Sequence, residues 1–68
     1  MDKLEKQILS LIKKHKKLTT YEIAKKLGVS WQTAQLRLYK LFGKGKVKTI
    51  EEEKGALKKV YWVLKRRK

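Results

Sequence analysis

The 68-residue chain contains no cysteine and no proline. Without cysteine it forms neither a disulfide nor a thiolate metal site, so side-chain packing must stabilise its core. Its apolar runs are only a few residues long, which excludes a transmembrane helix. An apolar fraction of 41% suffices for a small core, and we expect one domain over residues 1–68. Because an amphipathic pattern begins at once, without a signal-peptide segment, we expect a cytoplasmic protein.

Acidic residues are scarce, with 6 against 20 lysines and arginines, which gives a formal net charge of +14. Clustered cations release counterions from phosphates, so this excess indicates a polyanion as partner. A thermophile-like surface is the alternative explanation. That composition normally raises glutamate together with lysine, whereas here only lysine is raised. We therefore interpret the charge mainly as a means of binding a polyanion.

Enzyme chemistry has few candidate residues in this chain. His15 is the only histidine and lies between two lysines, with no cysteine to act beside it. The acidic run 51–53 falls in a segment with no expected pocket, and residues 43–45 lack the spacing of a phosphate-binding P-loop. We expect a protein that is not an enzyme and that uses no metal, cofactor or evident small-molecule effector.

Apolar residues at the start of the chain recur at spacings of three and four. This pattern predicts a helix over residues 2–15. The residues that carry it are Leu4, Ile8, Leu9, Leu11 and Ile12.

Two further helices follow closely. Thr19 and Glu22 have the spacing of a capping box, which predicts a helix over residues 20–27. Gly28 suits the left-handed conformation that ends a helix. Ser30 then caps a third helix over residues 31–42. A stop signal followed at once by a start signal is typical of a helix-turn-helix.

The last third of the chain is rich in residues that favour strands. Segments 47–51 and 58–64 flank a polar loop, residues 52–56, and predict a two-stranded hairpin over residues 46–64. Either Trp62 with its alternate neighbours or Tyr61 with Val63 would face the helices. A basic tail, residues 65–68, follows. The predicted fold class is α+β, with three helices before a hairpin.

The third helix has two contrasting faces. At about 100° per residue, Ala34, Leu38 and Leu41 share the face expected to meet the core. The opposite face carries Gln32, Thr33, Leu36, Tyr39 and Lys40, with Gln35 at its margin. Glutamine can pair with adenine, lysine with guanine or phosphate, and methyl groups with thymine. No acidic residue occurs between Glu22 and Glu51, which favours contact with DNA over packing of Leu36 and Tyr39 on another subunit.

The pattern of these residues resembles the winged helix-turn-helix DNA-binding domains of small archaeal and bacterial transcriptional regulators. The residues that carry the resemblance are Ala24 to Gly28, Val29, Ser30, Thr33, Ala34, Leu38, Leu41, Gly45 and Val47. In that family the third helix enters the major groove and the hairpin, or wing, touches the neighbouring backbone. The resemblance implies base contacts from Gln32, Gln35, Leu36, Tyr39 and Lys40. It implies backbone contacts from Ser30, Trp31, Thr33, Arg37, Lys44, Lys46 and Lys54.

A weaker resemblance is to the Z-DNA-binding winged helices. These place an asparagine and, four residues later, a tyrosine on the recognition helix, with a tryptophan in the hairpin. Gln35, Tyr39 and Trp62 fall at similar places in this chain. Glutamine replaces the asparagine, however, and the two prolines that hold the wing against the backbone are absent.

The sequence thus predicts a transcriptional regulator that binds double-stranded DNA with full or partial sequence specificity. Trp31 is expected to be buried or half-buried between the second and third helices. A homodimer would use Leu9, Ile12, Phe42 and the aromatic last strand. A protein-interaction module would instead show an apolar patch, and an RNA or single-strand binder would stack bases on Trp31 and Tyr39.

Overall fold

The computed structural model describes residues 2–65, which form three helices followed by an antiparallel hairpin. The elements are α1 (Lys3–His15), α2 (Thr20–Leu27), α3 (Trp31–Gly43), β1 (Val47–Lys54) and β2 (Leu57–Leu64). This arrangement confirms the predicted α+β winged-helix class. The last three residues of the predicted basic tail lie outside the described residues.

Each helix begins at a side-chain cap. Asp2 and Glu5 form a capping box at α1, and Thr19 and Glu22 form the predicted one at α2. Ser30 accepts a hydrogen bond from the backbone N–H of Thr33 at the start of α3, over 3.1 Å. The caps therefore set where the three helices start.

The core lies where the three helices meet the hairpin. Its largest fully buried side chains are Ile8, Ile12, Ile23, Leu38, Leu41 and Val47. Ile12 was predicted as a dimer contact, and that prediction is wrong because its side chain is wholly inside the subunit. Among residues 2–65, no helix is long and apolar enough to cross a membrane.

The strands of the hairpin are longer, and the turn between them is shorter, than the sequence predicted. Its strands pair from Val47 opposite Leu64 to Lys54 opposite Leu57, so the expected five-residue loop shrinks to a turn at Gly55 and Ala56. Residues 51–53 lie in β1 and face Val60, Lys59 and Lys58 across the ladder. Opposite charges directly across two strands stabilise their pairing, which explains why a polar segment is strand.

Two contacts attach the hairpin to the connector between α1 and α2. Leu18 and Trp62 exchange backbone hydrogen bonds of 3.2 and 2.7 Å. Lys17 pairs with Glu52 and lies 4.8 Å from the centre of the Tyr61 ring. The hydrogen bond to Glu52 raises the pKa of Lys17. The base of the wing is thereby held against the helices, with Trp62 on the inner face.

Candidate nucleic-acid interface

One face of α3 is exposed to solvent along its length. Leu36 is 54% exposed and Tyr39 is 59% exposed, while Gln32 and Lys40 are exposed beside them. The opposite face, with Ala34, Leu38 and Leu41, is fully buried. Four of the five side chains predicted to contact bases therefore share one exposed surface, which we call the α3 face.

Gln35, the fifth of these side chains, lies at the margin of that surface and is only partly exposed. Its Oε1 accepts a hydrogen bond of 2.8 Å from the Thr20 hydroxyl. The Thr20 oxygen in turn accepts a 2.8 Å hydrogen bond from the indole Nε1–H of Trp62. Gln35 is thus linked to both α2 and β2, a connection that its position in the sequence did not indicate.

Trp62 also organises the aromatic side of α3. The Tyr39 ring meets Trp62 edge to face, with centroids 6.3 Å apart and planes at 70°. Phe42 makes a similar contact at 6.3 Å and 76°. Such edge contacts are favourable arrangements for aromatic pairs. Tyr39 is therefore held at the surface by a residue that is itself only 4% exposed.

The first turn of α3 presents small polar groups and one indole. The Ser30 hydroxyl donates to Thr33 Oγ1 over 2.9 Å, and both side chains keep access to solvent. Trp31 is 52% exposed, so about half of its surface is buried, which agrees with the predicted half-buried position. Leu27 and Val29 pack against the core at this corner, and Trp31 does not belong to the core cluster.

Arg37 and Lys44 face the start of α1 and lie away from the α3 face. Arg37 forms an ion pair with Asp2, and Lys44 Nζ lies 3.3 Å from Glu5 Oε1. The Glu5 side chain is only 3% exposed, so Lys44 compensates a largely buried carboxylate. Both cations were predicted to contact phosphates, but in this structure each is paired within the subunit.

The electrostatics at the start of α1 follow from these contacts. The backbone N–H of Glu5 has the largest effect and lowers the pKa of Asp2. Desolvation has the next largest effect and opposes it, while the positive charges of Arg37, Lys40 and Lys44 each add a smaller lowering. A carboxylate that accepts a backbone hydrogen bond is stabilised in its charged form. Asp2 therefore acts both as a helix cap and as the anionic partner of α3.

The two wing lysines predicted to contact the DNA backbone do not come together. Lys46 lies just before β1 and Lys54 ends it, and both are exposed. Seven residues lie between them, and the eight residue steps of extended strand span about 27 Å. They would meet different phosphates of any nucleic acid that runs along the wing.

Sequence reasoning missed a basic cleft between α2 and β2. Its lining combines three lysines with aromatic and apolar side chains, and we call it the α2–β2 cleft. The residues that line it are Thr19, Thr20, Tyr21, Glu22, Lys25, Lys26, Trp31, Lys59 and Val60, so one glutamate accompanies the three lysines. The exposed positions of α2 signalled its lysines, but nothing in the sequence showed that β2 would lie beside them.

No group of three histidine, aspartate or glutamate side chains within residues 2–65 is placed to hold a metal ion. The arrangement offers instead an exposed helix face, a basic wing and a basic cleft. Together with the order of the elements, these features define a winged helix-turn-helix domain.

Comparison with known families gives the class of regulator. Residues 1–66 match the family described as the sugar-specific transcriptional regulator TrmB. Since the match spans nearly the whole chain, the chain belongs to the TrmB family of winged-helix transcriptional regulators, and DNA binding without enzymatic activity follows from that membership.

Two solved structures share the fold. Stf76 from the Sulfolobus islandicus plasmid-virus pSSVx has a TM-score of 0.84 and 18% identity, over 97% of this chain and 86% of that one. The Zalpha domain of Carassius auratus PKZ, solved in complex with Z-DNA, has a TM-score of 0.76 and 24% identity, over 90% of each chain. A search of curated proteins gave no significant match.

Proposed function

We propose that this TrmB-family regulator binds double-stranded DNA by inserting α3 into the major groove, in the cytoplasm. The supporting observation is the α3 face, where Gln32, Leu36, Tyr39 and Lys40 are exposed together. The major groove admits an α-helix and displays a distinct pattern of donors, acceptors and methyl groups for each base pair. Amide, aliphatic and cationic side chains on one surface can contact such a pattern.

The surrounding cations would bind the phosphates on either side of that groove. Lys46 and Lys54 on the wing are exposed and have no carboxylate partner among residues 2–65, and Lys25 and Lys59 line the α2–β2 cleft. Ser30 and Thr33 would add neutral contacts at the start of α3. Because these groups lie on α2, at α3 and on both strands of the wing, they would fix the orientation of the domain on the duplex.

Selection from a random duplex library tests this proposal. We expect the wild-type chain to enrich a motif and Gln32→Ala to lose the preference at one position of it. Gln7→Ala is the matched control, because Gln7 is an exposed glutamine on α1, away from the α3 face. An unenriched wild-type pool, or identical motifs for Gln32→Ala and the wild type, would refute groove reading by this face.

Z-DNA is a second candidate ligand, favoured by one specific observation. The edge contact between Tyr39 and Trp62 holds a tyrosine exposed on α3, as the resemblance to Z-DNA-binding domains implies. A titration of an alternating dC–dG duplex followed by circular dichroism distinguishes the two ligands. Inversion of the spectrum on addition of protein would support the left-handed form, and an unchanged right-handed spectrum would reject it.

We further propose that the domain pairs as a homodimer through Leu9 and Phe42. Phe42 is half-exposed at the end of α3, and Leu9 packs only partly against the core. Two copies would contact more DNA than one small module can. Sedimentation equilibrium is expected to give twice the chain mass for the wild type and a lower average mass for Phe42→Ser. A wild-type monomer at all concentrations would exclude this pairing.

A further inference from the structure

We infer that Thr20 fixes the side-chain amide of Gln35 with its oxygen inward, so that Gln35 presents only N–H donors to DNA. Gln35 would then select acceptor-only base edges, guanine O6 and N7 or thymine O4, and reject paired contact with adenine. The inference about bases rests on the proposed insertion of α3 into the major groove. The inference about the amide rests on the hydrogen bonds alone.

The direction of the hydrogen bonds follows from the chemistry of the three groups. An indole nitrogen is a donor only, so Thr20 Oγ1 must accept from Trp62 Nε1, at 2.8 Å. A hydroxyl carries a single hydrogen, which remains free to donate. The 2.8 Å contact between Thr20 Oγ1 and Gln35 places the amide oxygen at the receiving end.

The reverse orientation of the amide is worse in this site. With Nε2 inward, Thr20 Oγ1 would accept two hydrogens, and its own hydrogen would have no acceptor among its partners in residues 2–65. Both hydrogen bonds are partly buried, and a donor left unsatisfied away from water is costly. The anchor is also rigid, because Trp62 belongs to the buried core.

The orientation determines what Gln35 can recognise. Paired contact with adenine needs the glutamine oxygen and nitrogen side by side, one accepting from N6 and one donating to N7. When the oxygen points towards Thr20, only the two N–H groups face outward. Guanine offers two acceptors to them and thymine offers one, while adenine N6 meets a like donor. Thr20 is thus a positioning residue for specificity, although it lies on α2.

The first test needs no DNA. Thr20→Val keeps the shape of the side chain but removes the hydroxyl, and Thr20→Ser restores it. NMR of the Trp62 indole proton and the Gln35 side-chain amide is expected to show clear shift changes in Thr20→Val and wild-type-like signals in Thr20→Ser. If the Thr20→Val variant unfolds, Thr20→Ala replaces it in the same NMR comparison. Signals unchanged in both Thr20→Val and Thr20→Ala would overturn the hydrogen-bonded chain.

The second test is the base preference. Comparing pools selected by the wild type and by Gln35→Ala identifies the position that Gln35 reads, where guanine or thymine is expected. Thr20→Val frees the amide to rotate, and the adenine-to-guanine ratio there should rise about tenfold, with Thr20→Ser returning it to the wild-type value. A wild-type preference for adenine, or a ratio unmoved in Thr20→Val, would overturn the assignment.

The two tests separate the inference from the function that it extends. A wild-type chain that enriches no motif would reject the proposed groove reading, and the base preference with it, while the NMR result would still test the hydrogen-bonded chain from Trp62 through Thr20 to Gln35. Intact hydrogen bonds together with identical motifs for Gln35→Ala and the wild type would reject base recognition by Gln35 and leave the proposed role of the α3 face unchanged.

Discussion

Gly28 and Gly43 both lie at helix ends, but their backbones differ. Gly28 has φ of 68° and ψ of 32°, the left-handed conformation that ends α2, while Gly43 closes α3 with negative φ. A Cβ at either position would have nothing within 4 Å. The effect of a substitution on stability therefore depends on the backbone conformation alone. The two glycines can be compared directly, because they differ in φ and not in their surroundings.

We predict opposite effects for alanine at these two positions. Gly28→Ala should lower the free energy of unfolding by about 1 kcal/mol, because a side chain in the left-handed region is strained. Gly43→Ala should raise it by about 0.5 kcal/mol, because alanine reduces the freedom of the unfolded chain. Urea denaturation measures both. Equal shifts of the same sign would contradict the backbone explanation.

Single residues also show where sequence reasoning succeeded. The 3.6-residue period separated the buried face of α3, with Ala34 and Leu38, from the exposed Gln32 and Leu36, because it depends only on the helix itself. The period could not show that Arg37 would meet Asp2. That partner is 35 positions away along the chain, and only the folded arrangement brings the two together.

Lys40 and Arg37 should affect DNA binding differently. Both lie on α3, but Lys40 is exposed while Arg37 is paired with Asp2. Lys40→Ala should reduce the slope of log affinity against log salt by about 0.9, because removing one cation from the groove releases about one counterion fewer. Arg37→Ala should leave the slope unchanged and lower the melting temperature instead. Fluorescence anisotropy at several salt concentrations measures the slopes, and equal slopes for both variants would contradict this division.

At the scale of elements, the sequence located helices better than strands. Helix ends carry local signals, such as the Thr19 and Glu22 box, that need no distant partner. The acidic run 51–53 gave the local signal of a loop, but it forms a strand because it pairs with residues 58–60, two of which are lysines. The same limit hid the α2–β2 cleft, which exists because β2 returns to lie beside α2.

The first turn of α1 should make the fold sensitive to acid. The pKa of Asp2 is lowered from 3.8 in the folded chain, so this carboxylate stabilises the fold above that pH and loses its contribution as the pH falls through the lower folded value. Asp2→Asn keeps a capping oxygen but removes the charge. The variant should melt earlier than wild type at neutral pH and lose less of its melting temperature in acid.

Thermal melts from neutral pH down to strong acid measure this difference. The control is Glu53→Gln, which removes an exposed carboxylate of the wing that caps no helix. Parallel melting curves for Asp2→Asn and the wild type across the acid range would mean that Asp2 does not couple protonation to folding.

At the scale of the whole molecule, the lysines that contribute to the charge of +14 lie on different surfaces. Lys25 and Lys59 line the α2–β2 cleft, while Lys3 and Lys6 line a shallow surface between α1 and the end of α2. Composition indicated a polyanion as partner but could not assign lysines to either side. The fold determines which lysines lie on which surface, and composition alone does not.

A pair of charge-matched double variants tests whether the location of the lysines affects DNA binding. If about six phosphates are neutralised, log affinity should fall with log salt at a slope near −5. Replacing Lys25 and Lys59 with alanine should make the slope shallower by about 1.8, because two contacts are lost. Replacing Lys3 and Lys6 lowers the net charge equally and should leave the slope within about 0.3 of the wild type if those lysines touch no phosphate. Equal slopes in the two double variants would show that net charge, and not the α2–β2 cleft, drives binding.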